Sequence, residues 1–133
     1  MIETTSTINL MDSNELCRLL HIKCLSDMED IIRLEAEGRY TNIVFEKGKK
    51  HLVTHNIGEI NEHLPNELFV LVHRSHIINI AKIKTFRLQK PLSVDMIDGT
   101  RIKIARQHSE DFLPFIKTFP NEIWELKVEW SKR

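Results

Sequence analysis

Leu68-Phe69-Val70-Leu71-Val72-His73-Arg74-Ser75-His76-Ile77-Ile78-Asn79-Ile80 sets two apolar runs of strand length on either side of a polar break. Short runs of Val, Ile, Leu and Phe bounded by polar residues read as strands, and two of them joined by a short break read as a pair. The polar residues of the break then stand at a sheet edge. Side chains there are free to act on something outside the fold.

Working outward, the neighbouring segments repeat the pattern. Strands are expected over 20–25, 30–35, 40–46 and 51–54, the third and fourth joined by the tight turn Lys47-Gly48-Lys49. Asn56 has the character of a helix N-cap with Glu59 three positions on, and Ile57, Ile60 and Leu64 give one short amphipathic helix that ends before Pro65. Downstream, 82–87 alternates again, and 92–97 and 100–104 flank Asp98-Gly99, a strong hairpin signal. A helix is expected over 109–119, limited by Pro114. The tail Trp124 to Trp130 alternates with period two and reads as a strand, although a helix also fits it. The fold class is therefore mainly β with short helices.

With 133 residues the chain fits one domain with a single core. Residues 1–17 are expected to be a loose extension or a short helix near 14–20, residues 18–117 the domain, and residues 118–133 a C-terminal extension packing on the domain or on a partner. No apolar run is long enough to cross a bilayer and the N-terminus lacks a leader pattern, so a soluble, cytoplasmic protein is expected. Cys17 and Cys24 have no second pair, which supports neither a zinc site nor a disulfide framework.

The formal charge is zero, yet it is unevenly placed: residues 33–106 hold thirteen bases against eight acids, net +5, and five of the seven histidines. Residues 1–32 are net −4 and residues 107–133 net −1. A basic centre with acidic flanks favours a polyanionic partner. Catalytic readings find little support, because the chain has no Gly-rich phosphate loop, no nucleophile elbow and no paired-carboxylate pattern. No enzyme, cofactor or metal is expected; His73 and His76, three apart with no Cys or acid cluster beside them, make a poor metal pair.

Strand direction predicts which polar residues meet. The strand that starts near Tyr40 runs about 23 Å to Gly48, and the next strand returns His55 to the starting end. The helix from Asn56 then runs outward, so the strand 68–72 comes back and delivers Arg74, Ser75 and His76 to that same end. If the Asp98-Gly99 turn is distal, the last strand brings Arg106 and Gln107 there too. Arg74 and Arg106 are the candidate base readers, since a guanidinium fork matches guanine O6 and N7. Thr41, Asn42, Ser75, His76, Asn79 and Gln107 offer short polar groups for bases or phosphates, while Arg39, Lys90 and Lys103 supply charge. His73 and Asn79 are expected to be structural, and Lys47, Lys49 and Lys50 a solvated turn at the far end.

Three motifs in this order carry a family resemblance: Leu34-Glu35-Ala36-Glu37-Gly38-Arg39-Tyr40-Thr41, Leu71-Val72-His73-Arg74-Ser75-His76-Ile77-Ile78-Asn79, and Asp98-Gly99 followed by Ile102-Lys103-Ile104-Ala105-Arg106. Over residues 18–117 the chain resembles the LytTR (LytR/AlgR-type) DNA-binding domain of bacterial transcriptional regulators. The resemblance implies an elongated arrangement of small antiparallel β-sheets with a short helix, and loops that enter successive major grooves. It implies two copies on direct repeats of double-stranded DNA, hence a homodimer on DNA. It carries base contact onto Thr41, Arg74 and Arg106, with Arg39, Tyr40, Asn42, His55, Ser75, His76, Lys103 and Gln107 supporting. Relatives often have Ser where this chain has Ala105, and Arg near the position of His55, which bears on phosphate affinity rather than fold. Most also carry a receiver domain, for which these 133 residues leave no room, so a separate regulatory protein is expected to provide the input. The competing reading is a non-catalytic protein interaction module anchored by Trp124 and Trp130.

Overall fold

In the computed structural model, which describes residues 13–87, 91–109, 112 and 128–129, two sheets build two apolar clusters in place of the single core expected. Strands β1 (Ile31–Glu37), β2 (Tyr40–Phe45), β3 (Lys50–Val53), β4 (Phe69–His73) and β5 (His76–Asn79) form the first, in the order β3-β2-β1-β5-β4 with antiparallel neighbours. The second contains β6 (Ile83–Arg87), β7 (Ser93–Met96), β8 (Arg101–Lys103) and β9 (Val128–Glu129), ordered β8-β7-β6-β9. Its pairings are antiparallel except β6 with β9. The fold is thus mainly antiparallel β with few short helices.

Both faces of the first sheet are covered, which explains its near-continuous apolar strands. On one face lie helices α1 (Ser13–Leu20) and α2 (Ile57–Asn61), whose Leu16, Leu19, Leu20, Ile57 and Ile60 pack on Ile31, Leu34, Ile43, Phe45, Val53 and Ile77. On the other face Ile32, Val72 and Ile78 meet the second sheet through Ile83, Phe86, Val94, Met96 and Ile102. Phe112 closes this core against Phe86, ring centroids 6.1 Å apart. Burying one such side chain contributes about 1.5–3 kcal/mol, so each face is a substantial share of the stability.

Local chemistry accounts for the elements. Asn56 accepts the Glu59 amide at 2.8 Å, the cap expected for α2, although the regular helix stops at Asn61 and the chain reaches the buried Leu64 through turns. Gly38 and Gly99 sit at φ 63 and 90 in the turns after β1 and β7, a conformation that glycine adopts without Cβ strain.

Two expectations fail. Residues 20–25 form no strand: Leu20 closes α1, and His21 adopts φ 60 with its amide bonded to the Arg18 carbonyl, while Ile22 bonds back to Cys17. Leu16, Leu19 and Leu20 have helical spacing, and that pattern decides over the short run that followed. The short helix expected near 14–20, by contrast, is present as α1 and is bound into the core from Leu16 on. The C-terminal helix begins earlier than expected: residues 106–109 and 112 are helical. The rest of the 109–119 helix lies outside the described residues, as do Trp124, Trp130 and the tail except for the strand Val128–Glu129.

Candidate nucleic-acid interface

Antiparallel pairing collects one end of every strand of the first sheet. The pairs Glu37↔Tyr40, Thr41↔Val53 and His73↔His76 place the β1–β2 turn, the end of β3 and the β4–β5 turn along one edge. The Ser75 carbonyl accepts the Ala36 amide at 2.9 Å, joining the second turn to β1. The Ala105 amide donates to the Val72 carbonyl at 2.8 Å, so the chain leaving β8 enters its helix beside β4. Arg39, Arg74 and Arg106 therefore stand in adjacent segments, although they are far apart in sequence. The Asp98-Gly99 turn lies towards the opposite end, where Asp98 meets Arg33 near the start of β1.

These three arginines are exposed and have no acidic partner among the described residues. Arg33, Arg87 and Arg101 differ. Arg33 bonds Asp98 at 2.9 Å and Glu35 at 2.7 Å, while Arg87 and Arg101 share Asp95 at 3.0 and 2.8 Å. Burial alone would raise the Asp95 and Asp98 carboxyls. Arg101 and Arg87 outweigh it at Asp95, and the Thr100 amide and Arg33 do so at Asp98, so both are held below the usual carboxylate range.

The remaining candidates divide. Tyr40, at 46% exposure, Lys103 and Gln107 are open to solvent. Asn42 donates to the Glu37 carboxylate, and His55 Nδ1 lies 3.2 Å from Glu59 Oε2. Asn79 is fully buried, donating to the Ile31 carbonyl and accepting the Ala81 amide. His73 Nδ1 accepts the Ser75 amide at 3.1 Å. Lys90 lies outside the described residues.

Thr41 requires correction as a base contact. It is 0% exposed and its hydroxyl donates to the His55 carbonyl at 2.7 Å. Along β2, Thr41, Ile43 and Phe45 alternate onto the helix-covered face, so the hydroxyl ties the end of β3 to β2 and offers DNA no atom.

Sequence reasoning missed a polar row on the other face. Register aligns Asn42, Glu35, His76 and His73 across β2, β1, β5 and β4. Burial, with His73 and Arg33 nearby, holds the half-buried His76 below the ordinary imidazole range despite the pull of Glu35, and its buried Nδ1 has no hydrogen-bond partner among the described residues. An arginine inside Ile31-Ile32-Arg33-Leu34 was the available signal that this face holds charge.

At the opposite end lies a cleft of about 820 Å³ lined by His21, Lys23, Asp27, Phe45, Lys47 and His51 among others. Asp27, Asp30 and Glu46 balance Lys23, Lys47 and Lys49 there, so the cleft has no net charge to attract phosphate. Among the described residues no group of three or more His, Cys, Asp or Glu could hold a metal ion, and no helix is long and apolar enough to cross a membrane.

Known proteins place the edge in context. A solved LytTr DNA-binding domain from Bacillus cereus superposes with a TM-score of 0.61 at 22% identity, covering 66% of this chain and 82% of that one, which supports the fold. The heme-containing CO-sensing transcriptional regulator RcoM 2 of Paraburkholderia xenovorans is 27% identical over 88 residues, 64% of this chain and 33% of its own length. The sensory transduction protein LytT of Enterococcus faecalis is 28% identical over 86 residues, 63% of this chain and 35% of its own. The chain thus spans about a third of these relatives. The family profile of the LytTr DNA-binding domain matches residues 23–117, and with that match over most of its length the chain belongs to the LytTR family of DNA-binding domains found in transcriptional regulators.

Proposed function

We propose that the edge formed by the β1–β2 turn, the β4–β5 turn and the segment after β8 reads duplex DNA sequence through the major groove. The observation that supports it most is the set of three exposed arginines, Arg39, Arg74 and Arg106, which stand in adjacent segments without acidic partners among the described residues. Arg74 and Arg106 read base edges, each good bidentate contact discriminating by about 1–3 kcal/mol. Arg39, Tyr40, Lys103 and Gln107 hold phosphates, with His55, Asn42, Ser75 and His76 lending secondary support. Thr41 positions the β2–β3 end from inside. The protein acts in the cytoplasm as a sequence-specific regulator without catalytic activity. Two copies sit as a homodimer on direct repeats, and a separate regulatory protein or domain supplies the input.

The interaction-module alternative has less support, because Val128 and Glu129 pair with β6 of the same chain. One experiment separates the two. A duplex selected from random sequence with the purified protein should bind with an affinity that falls steeply and linearly in log affinity against log salt, as counterion release requires. A flat response would favour a protein partner instead.

A further inference from the structure

The two-residue connection Arg74-Ser75 between β4 and β5 is unusual in one respect. Two-residue hairpin loops favour primed turns with φ above zero, because those match the twist of the strands. Neither Arg74 nor Ser75 has positive φ, and the pairing of β4 with β5 shifts register between Leu71 and His73. Such a turn needs other locks. It has two: the Ser75 carbonyl accepts the Ala36 amide, and the Ser75 amide donates to His73 Nδ1 at 3.1 Å. The second lock is the imidazole counterpart of an Asx turn, in which a side-chain acceptor takes the amide two residues on.

An N–H that points at Nδ1 requires a lone pair there, so the lock exists only while that nitrogen carries no proton. We propose that His73 is a positioning residue for DNA reading: its unprotonated Nδ1 holds the Arg74-Ser75 turn, and proton uptake there releases Arg74 and lowers sequence-specific binding. This inference rests on the reading of Arg74 as a base contact.

The surroundings set up a contest of signs. His76 of β5 faces His73 with ring centroids 5.4 Å apart, and Glu35 and Arg33 of β1 act on His76. Arg74 is in the turn itself, and Arg106 follows Ala105, which bonds the Val72 carbonyl. Glu35 brings a negative charge to this row, and Arg74 and Arg106 bring positive ones. Phosphate attraction taken alone would make every protonated histidine tighten binding. The lock predicts the opposite for the specific site, so the ratio of specific to random-duplex affinity should fall on acidification.

The experiment compares a duplex selected with this protein against a random duplex of equal length, from about pH 8 to about pH 5.5. For the parent the ratio should fall roughly threefold to tenfold, the worth of one neutral hydrogen bond. His73→Ala should show the low ratio throughout. His73→Asn presents a side-chain oxygen to the same amide and takes no proton, so it should recover most of the ratio and flatten its pH profile. In the free protein, the NMR signal of the Ser75 amide should move with imidazole titration in the parent and stay still in His73→Asn. A ratio that rises on acidification, or a His73→Asn profile equal to the parent's, overturns the proposal. A Ser75 amide indifferent to pH sinks it while leaving the base-reading assignment intact. An Arg74→Ala protein that binds the selected site like the parent sinks that assignment, and the inference with it.

Discussion

Six arginines of the two sheets and their connections fall into two populations. Arg33, Arg87 and Arg101 are committed to carboxylates, whereas Arg39, Arg74 and Arg106 are exposed with no acid beside them among the described residues. A cation taken from water needs a partner, because its uncompensated burial costs several kcal/mol. A cation at the rim needs none, and it keeps its full donor set for a ligand. On the proposed function, pairing with an acid marks the arginines that hold this fold and leaves the others available to a ligand.

The largest effect should follow from breaking a committed pair. The Arg33 side chain is 10% exposed and joins the first sheet to the Asp98-Gly99 turn of the second. Asp98→Ala leaves that guanidinium with only the half-exposed Glu35, and should cost about 3 kcal/mol of stability in denaturant unfolding. The same change should alter the acid limb. Since Asp98 is held below its ordinary range in the fold, its contribution is present above the unfolded value near 3.9 and lost as pH falls through the folded one. Asp98→Ala should therefore lose less stability than the parent between about pH 5 and pH 2. If its acid limb matches the parent's, the pair is not what joins the sheets.

The free arginines should show the reverse pattern, with binding lost and melting unchanged. Arg74→Ala and Arg106→Ala should each weaken the selected duplex by about 1–3 kcal/mol, with less loss on random duplex. Equal losses on both duplexes would make these residues phosphate contacts. Parent-like binding would remove them from the interface. Arg39→Ala should act more weakly and uniformly across sequences, lowering the slope of log affinity against log salt by about 1.

The distinction between the two populations was only half legible in the sequence. The edge could be found because it depends on local signals: the polar break at Arg74-Ser75, the Asp98-Gly99 hairpin and the Asn56 cap together fix strand directions. Thr41 came to the list of base contacts through the family resemblance, and alternation in β2 could not test it, because Val44 and Phe45 are both buried and leave open which face the helices cover. Nothing near Arg33 announced Asp98, which lies 65 residues away. At the N-terminus, Leu19, Leu20 and Ile22 fit a strand pattern, and the helical spacing that adds Leu16 prevails because it lets Leu16, Leu19 and Leu20 pack with Ile31 and Ile43. Partners distant in sequence, in short, were what sequence reasoning lacked.

The smallest effect tests which end of the first sheet meets DNA. Lys49 is exposed, in the turn where the end of β2 meets the start of β3, and its ammonium lies 5.6 Å from the Phe45 ring centroid. Charge counting alone would make Lys47, Lys49 and Lys50 an attractive phosphate patch. Register puts them at the other end of the first sheet, since Phe45 pairs with Ile31 while Tyr40 pairs with Glu37 beside Arg39. Six residues of strand separate those ends, about 20 Å at 3.3 Å per residue, and a rim charge at that distance is largely screened at physiological salt, where the Debye length is about 8 Å. Lys49→Ala should thus change specific binding by less than about 0.5 kcal/mol and leave the salt slope where it was. A loss comparable to that of Arg74→Ala would mean that DNA lies along the opposite end, and that freedom from acidic partners does not by itself mark the reading surface.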